Sequence, residues 1–344
     1  MSRNVEPYSL PAWRVLLGGQ DLTDRIKPRL LDLTLTEARG GEADQLDLRI
    51  HDHDGRMELP RRGVELSVAI GWAEAGLIEK GTFRVDEVEH SGAPDVITIR
   101  ARSADLSHPM RTRRERSWHK VTLGDVVRTL AGEHALQVRI APSLAGVQIA
   151  HLDQTGESDV NLLTRLGQRY DAVATVKAGS LLFMPIGSGT TASGQALPTA
   201  LITRASGDTH RYGSADRDSY SGVRAYWNNK PGANRKSVLV GVSGNAKRLR
   251  ETFNSETEAR EQANAEWKRI KRGAAKMDFT LALGRADLSP EQKLRVRGFK
   301  ADIDDTIWLI AKTTHTITSS AGFTTQLELE TDAGEGSGSE AEPE

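Results

Sequence analysis

The sequence predicts an α+β chain that is mainly β: two antiparallel β regions, an α/β subdomain inserted between them, and an additional helix inside the second region. Three observations predict it. Apolar and polar residues alternate over residues 13–102 and again over 277–330, the period of half-buried strands. Between residues 111 and 183 the apolar spacing changes to three and four, the period of amphipathic helices. A further helical stripe over residues 255–272 interrupts the second alternating region.

In chain order, Trp13-Arg-Val-Leu-Leu17 reads as a first strand and Gly18-Gly19 as its turn. Leu31, Leu33 and Leu35 share one face of the next strand, with Asp32, Thr34 and Thr36 on the other. After Gly40-Gly41 the pattern repeats at Leu46, Leu48 and Ile50, then at Val64, Leu66, Val68, Ile70 and Trp72, at Phe83 and Val85, and at Ile97, Ile99 and Ala101. Strands in such density with no helix between them predict a barrel or a sandwich.

The inserted α/β piece opens on the basic run Arg111-Thr-Arg-Arg-Glu-Arg116 and Ser117-Trp-His-Lys120. Thr122-Leu-Gly-Asp125 caps a helix carrying Leu123, Val126, Val127, Leu130 and Ala131 on one side. Ser158 caps a second, with Val160, Leu163, Leu166, Gly167 and Tyr170 facing inward. Leu136–Ile140, Val173–Val176 and Leu181–Phe183 read as short strands. Gly187-Ser-Gly-Thr-Thr-Ala-Ser-Gly194 is too small and polar to pack and reads as a linker.

Strands resume at Val223–Trp227 and Ser237–Val240 around the turn Asn228–Gly232. Ser255 and Glu258 form a capping box for the helix bearing Ala259, Ala263, Trp267 and Ile270. Lys268, Arg269, Lys271 and Arg272 crowd its C-terminal end, where the helix dipole favours cations. The closing alternation runs Met277, Phe279, Leu281 and Leu283, then Leu294 and Val296, Ile307 and Leu309, Leu327 and Leu329. The segment Lys293–Glu330 echoes Val64–Arg102, with Trp308 in the place of Phe83 and His315 in that of His90. Two related β domains and chance agreement between two meanders both account for the echo.

Composition narrows the chemistry. None of the 344 residues is cysteine, which excludes disulfides, Cys-based zinc sites and thiol nucleophiles. No apolar run reaches the roughly 18 residues of a membrane span, and Met1–Pro7 lacks a signal-peptide core. A cytosolic product is expected, and no stable membrane insertion. Net charge is -1; the last 14 residues hold Asp332, Glu335, Glu340, Glu342 and Glu344, and without those acids 46 basic side chains stand against 42 acidic ones. That excess is too small to argue for nucleic acid.

Candidate sites are few. His51-Asp-His-Asp54 offers metal-ligand types. On a strand, however, both histidines face one way and both carboxylates the other, and the run ends in Gly55 as turn chemistry does. His90, His108, His119, His134, His151, His210 and His315 are scattered. No Gly-x-Ser-x-Gly elbow, phosphate-binding loop or dinucleotide fingerprint occurs; Gly187-Ser-Gly189 leads into no helix. Asp302, Asp304 and Asp305 lie in a turn. No catalytic, cofactor-binding or metal-binding residue is therefore assigned. The Arg111–Lys120 run has the charge to follow a phosphate backbone, but in a nearly neutral chain a salt-bridged junction of domains or subunits fits it better.

Ser117-Trp-His-Lys-Val-Thr-Leu-Gly-Asp-Val-Val-Arg-Thr-Leu-Ala131 and His151-Leu-Asp-Gln-Thr-Gly-Glu-Ser-Asp-Val160 resemble the phage late control protein D family, the tail hub of contractile-tailed temperate phages. Tyr220-Ser-Gly-Val-Arg-Ala-Tyr-Trp227 and Arg250–Ala259 agree with it, and the likeness runs from about Trp13 to about Glu330. The resemblance implies two tube-like antiparallel β-barrel domains, at 1–108 and 191–330, with the α/β subdomain at 109–190 and helix 255–272 within the second barrel; the acidic tail at 331–344 lies outside it, and its Gly/Ser/Glu-rich composition reads as disordered. It implies a non-enzymatic homotrimer that joins a sixfold tail tube to a threefold spike in a virion or tailocin baseplate, assembled in the bacterial host cytoplasm. The partners implied are the spike, tail tube or tube-initiator proteins, baseplate wedge proteins and the tape measure protein, with no specific nucleic acid. The alternative of a different class is a tail-associated peptidoglycan hydrolase.

Overall fold

The computed structural model describes residues 10–40, 43–103, 108–177, 179–190, 195–214, 220–229 and 234–334. The end of the predicted linker, the Lys230–Gly232 part of the predicted turn and the acidic tail from residue 335 on lie outside these residues.

The chain is mainly β, with antiparallel pairing throughout most of its sheets. The first region supplies β1 (Pro11–Leu17), β2 (Gln20–Asp21), the one-turn helix α1 (Thr23–Ile26), β3 (Leu30–Ala38), β4 (Gln45–His51), β5 (Glu65–Trp72), β6 (Gly76–Ser91) and β7 (Val96–Ser103). Gly18 and Gly19 close the β1–β2 turn with positive φ values of 57° and 86°, a conformation glycine adopts without steric cost. The alternation holds nearly everywhere, since Leu33, Leu35, Leu46, Leu48, Ile50, Leu66, Val68, Phe83, Val85 and Ile97 are all buried. One expectation fails: a register shift between Leu30 and Asp32 turns Leu30 inward in place of Leu31, as a bulge does.

The middle of the chain folds around its own core. It contains β8 (Arg113–Thr122), α2 (Leu123–Glu133), β9 (Gln137–Ile140), α3 (Pro142–Ala145), β10 (Gln148–Ser158), α4 (Asp159–Tyr170), β11 (Ala172–Lys177) and β12 (Ser180–Pro185). Leu123, Val126, Leu130, Leu163, Leu166 and Phe183 meet there. Thr122 and Asp125 form the full reciprocal capping box that the sequence predicts. On α4 the buried face includes Leu162, while Val160 is only partly covered. Most of the basic run proves to be the start of strand β8, paired antiparallel with β10; Arg111 ends the short helical turn before it.

The remainder supplies β13 (Ala200–Thr203), β14 (Gly207–Ser214), β15 (Gly222–Asn229), β16 (Asn234–Gly241), β17 (Ala246–Phe253), α5 (Glu256–Gly273), β18 (Ala275–Leu281), β19 (Lys293–Arg297), α6 (Ala301–Asp304), β20 (Ile307–Thr318) and β21 (Gly322–Thr331). Strands β15–β17 and the Ala259/Ala263 face of α5 make a separate small core. Only half of the predicted Ser255–Glu258 capping box forms. Ser255 accepts the Glu258 N–H, but the Glu258 carboxylate accepts from Asn254. Leu283 lies past the end of β18 and is exposed, and Ile307 is exposed while Trp308, Leu309 and Ile310 are all buried. The first residues of the predicted tail are tied down: β21 runs to Thr331, and Asp332 pairs with Lys293 at 2.8 Å.

The echo read from the sequence becomes a matched strand order. One half of the large sheet runs β3-β4-β7-β6-β5-β1 and the other β14-β18-β21-β20-β19-β13. The registers match as well. Leu66 opposes Phe83 as Leu294 opposes Trp308. Val85 opposes Ala101 as Ile310 opposes Leu329, and the register shift that follows falls at Val85/Glu87 in one hairpin and Ile310/Lys312 in the other. The flanking strands differ in one respect: β1 lies antiparallel to β5, but β13 is parallel to β19. The halves are joined through β20, whose Lys312–Thr318 stretch pairs antiparallel with β3.

Candidate functional site

Four of the buried polar residues, Glu37, Thr313, His315 and Thr325, gather at the β3–β20 seam. Glu37 on β3 takes an ion pair from Lys80 on β6 at 2.6 Å and has His315 Nε2 on β20 at 3.3 Å. In the sheet β6 lies three places from β3, roughly 14 Å along a flat sheet, so this contact crosses the interior of a curled sheet. Thr325 accepts the Arg285 N–H at 2.9 Å, which leaves its hydroxyl hydrogen for His315 Nδ1, also at 2.9 Å. Burial pushes the Glu37 pKa up, but Lys80 and the His315 contact outweigh it and hold it well below the usual carboxylate range. Burial dominates at His315 and lowers its pKa, favouring the neutral ring. Nearby, Trp72 donates its indole N–H to the Gly284 carbonyl at 2.8 Å and packs on Phe323, so the end of the β20–β21 hairpin enters the first core.

A second cluster ties the α/β unit and α5 to the same place. Arg272, near the C-terminus of α5, pairs with Asp171 at the C-cap of α4 and with Glu330 on β21 at 3.2 Å. Arg39, just past β3, pairs with Glu291 and Glu330. Burial raises the Glu291 pKa against the pull of Arg39, and its other oxygen accepts the Gly187 N–H at 2.7 Å. The described start of the predicted linker is therefore anchored. Of the cations expected merely to suit the α5 dipole, Arg272 is buried and paired, and Arg269 reaches the Gln168 carbonyl at the end of α4.

Within the run Arg111–Arg116, Arg114 and Arg116 are engaged inside the α/β unit, while Arg111 and Arg113 are exposed. Arg116 contacts Glu133 and Asp159 at 2.6 Å each, Arg114 contacts Glu133 at 2.8 Å, and Arg116 also lies over the Trp118 ring. Glu133 closes α2 and Asp159 opens α4, so the two arginines pin β8 to both helices. Glu133, His134 and Asp159 are close enough together to hold a metal ion. Two guanidinium groups already neutralise both carboxylates, and His134 hydrogen-bonds Asp159 at 2.8 Å. Burial works to raise the Asp159 pKa, but hydrogen bonds from Gln154 and His134 and the charges of Arg116 and Arg114 lower it. The site reads as a salt-bridged clasp.

At His51–Asp54 the strand ends at His51, and the two acids that follow are taken up by other partners. Asp54 makes two 2.6 Å bonds to Arg29, and Asp52 is buried and accepts the Met57 N–H. The rings of His51 and His53 lie 5.4 Å apart, tilted by 48°. Elsewhere His119 and His151 approach to 3.0 Å on the exposed face of β8–β10, with Asp153 on the far nitrogen of His151. Asp304 accepts from the Gly298 and Phe299 N–H groups, closing its own turn. His108 lies at the edge of the described residues, at the start of the short helical turn before β8. Sequence reasoning missed the Glu37 and Arg272 clusters. Their members lie far apart in the chain, and nothing local marks a charged residue that will be buried.

The family model described as phage tail baseplate hub (GPD) matches residues 45–321. Probable baseplate hub proteins of Escherichia phages 186 and P2 are 42% and 41% identical to this chain, each over 93% of it and over 92% and 93% of their own lengths. Among solved structures, a 43 kDa tail protein of prophage MuSo2 from Shewanella oneidensis superposes with a TM-score of 0.66 at 17% identity, covering 93% of this chain and 98% of its own. An Escherichia coli component of the type VI secretion system, described as similar in structure to the T4 tail proteins gp27 and gp5, superposes with a TM-score of 0.53 at 14% identity over 88% of this chain and 73% of its own.

Proposed function

The chain belongs to the phage tail baseplate hub family, and from that premise we propose that it is the structural hub of a contractile tail baseplate, a homotrimer that adapts a sixfold tail tube to a threefold spike. The observation that carries the reading is the pair of sheet halves with one strand order, one set of registers and a bulge at the same step. Three chains with two such halves each present six similar surfaces toward a tube, while whatever distinguishes the halves repeats only three times. Closed rotational symmetry leaves no interface free to propagate.

In this reading residues 1–108 and 191–330 are the two tube-like barrels, and residues 109–190 are the inserted subdomain. The helices α2 and α4 decorate the outside of the ring. Its partners are the spike, the tube or tube-initiator proteins, wedge proteins and the tape measure protein, inside a virion or tailocin assembled in the host cytoplasm. The clusters that looked most like sites, Glu133–His134–Asp159 and His51–Asp54, are neutralised by arginines. The relatives are named as probable baseplate hub proteins, and both observations support a non-enzymatic role.

Mass measurement tests this, on the chain alone and mixed with the spike protein of the same particle. A threefold species is expected in at least one of the two. A strict monomer in both sinks the proposal, and clearing of peptidoglycan in a zymogram would turn it toward a hydrolase.

A further inference from the structure

We infer that neighbouring chains of this trimer join by antiparallel pairing of β6 from one chain with β14 of the next, in a register that the intrachain junction dictates. The inference rests on the trimeric reading above and specifies its interface.

Of the strand edges left open in the large sheet, two matter here, one on β6 and one on β14. β6 pairs with β5 only as far as Arg84, and beyond it that side carries only the Val85 bonds to Gly63 and Val64, although β7 covers its other side to Ser91. β14 pairs with β18 and ends the sheet; most of its residues are exposed. Open edges carry unpaired N–H and C=O groups that another chain can pair with. In the second half the counterpart of the open β6 edge is not open. There the same stretch of β20, just past the same bulge, is taken by β3. The counterpart of β3 in the strand order is β14. Each half therefore presents the same two edges, and one of the two possible junctions is already made within the chain.

The register follows by transfer. On the intrachain junction His315 opposes Leu35, Thr314 opposes Thr36 and Thr316 opposes Thr34. The bulges equate His315 with His90. Leu35 opposes Leu46 and Leu46 opposes Ala101, as Tyr212 opposes Met277 and Met277 opposes Leu329, so Leu35 equates with Tyr212. His90 of one chain then faces Tyr212 of the next, Glu89 faces Gly213 and Ser91 faces Arg211. Faces and charges agree. Tyr212 packs inward on its own core as Leu35 does. Glu89 lies diagonal to Arg211 on the shared face, within reach of long side chains. Within its own chain Glu89 is only 3.9 Å from Arg100, whose closer partner is Glu87 at 2.8 Å.

The chain has no cysteine, so oxidative cross-linking reports introduced pairs alone. In the full-length chain, Ser91→Cys with Arg211→Cys and, separately, Glu89→Cys with Gly213→Cys place thiols directly opposite each other. Ser91→Cys with Ser214→Cys places them about 10 Å apart, beyond disulfide reach. The expected result is covalent dimers and trimers from both in-register pairs and at least about tenfold less from the control, which disulfide geometry excludes. A threefold species by mass with neither in-register pair cross-linking, or with the control cross-linking equally, overturns the register and leaves the hub reading intact. Absence of any threefold species overturns both.

Discussion

Glu37 is nine-tenths buried, carries a charge and lies among apolar strands, so its neighbours decide its cost. Removing Lys80 takes away the nearest compensation. Lys80→Met is expected to destabilise the protein by about 3–5 kcal/mol, the penalty of stranding a buried charge, read from urea denaturation at neutral pH. The pH dependence follows from the directions of shift. The folded-state pKa of His315 lies below its ordinary 6.5, so below that pH the unfolded chain takes up a proton that the folded chain resists. Its contribution is complete above pH 6.5 and is lost as the pH falls from there toward the folded value. Glu37, also depressed, adds a second loss as the pH falls below its ordinary 4.5. The urea midpoint of the wild type is expected to drop between pH 6.5 and 5, and His315→Gln to flatten that drop. An unchanged slope in the variant would show that other groups govern this range.

At the scale of elements, the helices behave as their caps require. Thr122 accepts the Asp125 N–H, and Asp125 accepts the Thr122 N–H at 2.9 Å. Thr122→Ala is expected to cost about 1 kcal/mol, which would make exchange of the α2 amides about fivefold faster if they open locally. Equal acceleration in α5 would show that the loss is global and not a property of the cap. Such caps were legible because they are local: Thr122, Ser158 and Ser255 each sit just before an apolar stripe of helical period. The alternating strands of the first region were legible for a similar reason, since one face is buried and the other wet. Strands β8, β10, β14 and β17 were not. They are short of apolar residues and rich in exposed polar ones, so no period marks them, and only pairing with a neighbour makes them strands. The clasp at Arg114 and Arg116 was half legible. The charges stood out in the sequence, but Glu133 and Asp159 come within reach only once β8 and both helices have formed.

At the scale of the whole molecule, four cores must act as one body if the protein is to transmit force between a tube and a spike. The β20–β3 pairing joins the two halves of the large sheet. Arg272 joins the rest, since its guanidinium meets Asp171 from the α/β unit and Glu330 from the second half, and Glu330 in turn meets Arg39 from the first. Asp171 is 4% exposed and has no bulk water to fall back on. Arg272→Met keeps most of the side-chain volume and removes the charge, stranding Asp171 and leaving α5 held to α4 only by the Arg269–Gln168 and Arg169–Glu258 contacts among the described polar ties. The expected loss is about 3–5 kcal/mol, and it should fall unequally. The β sheet halves keep their strand pairing and their apolar cores, while the α/β unit loses its most deeply buried ion pair to them and keeps the Lys177–Asp44 pair. Thermal unfolding of the variant is therefore expected to resolve into two transitions, the α/β unit melting first, where the wild type shows fewer or closer steps. Limited proteolysis supplies the matching readout, with faster cleavage expected between residues 186 and 200 in the variant. A uniform downward shift of one unchanged transition would mean that Arg272 stabilises all the cores alike and is not the particular link between the α/β unit and the sheet halves.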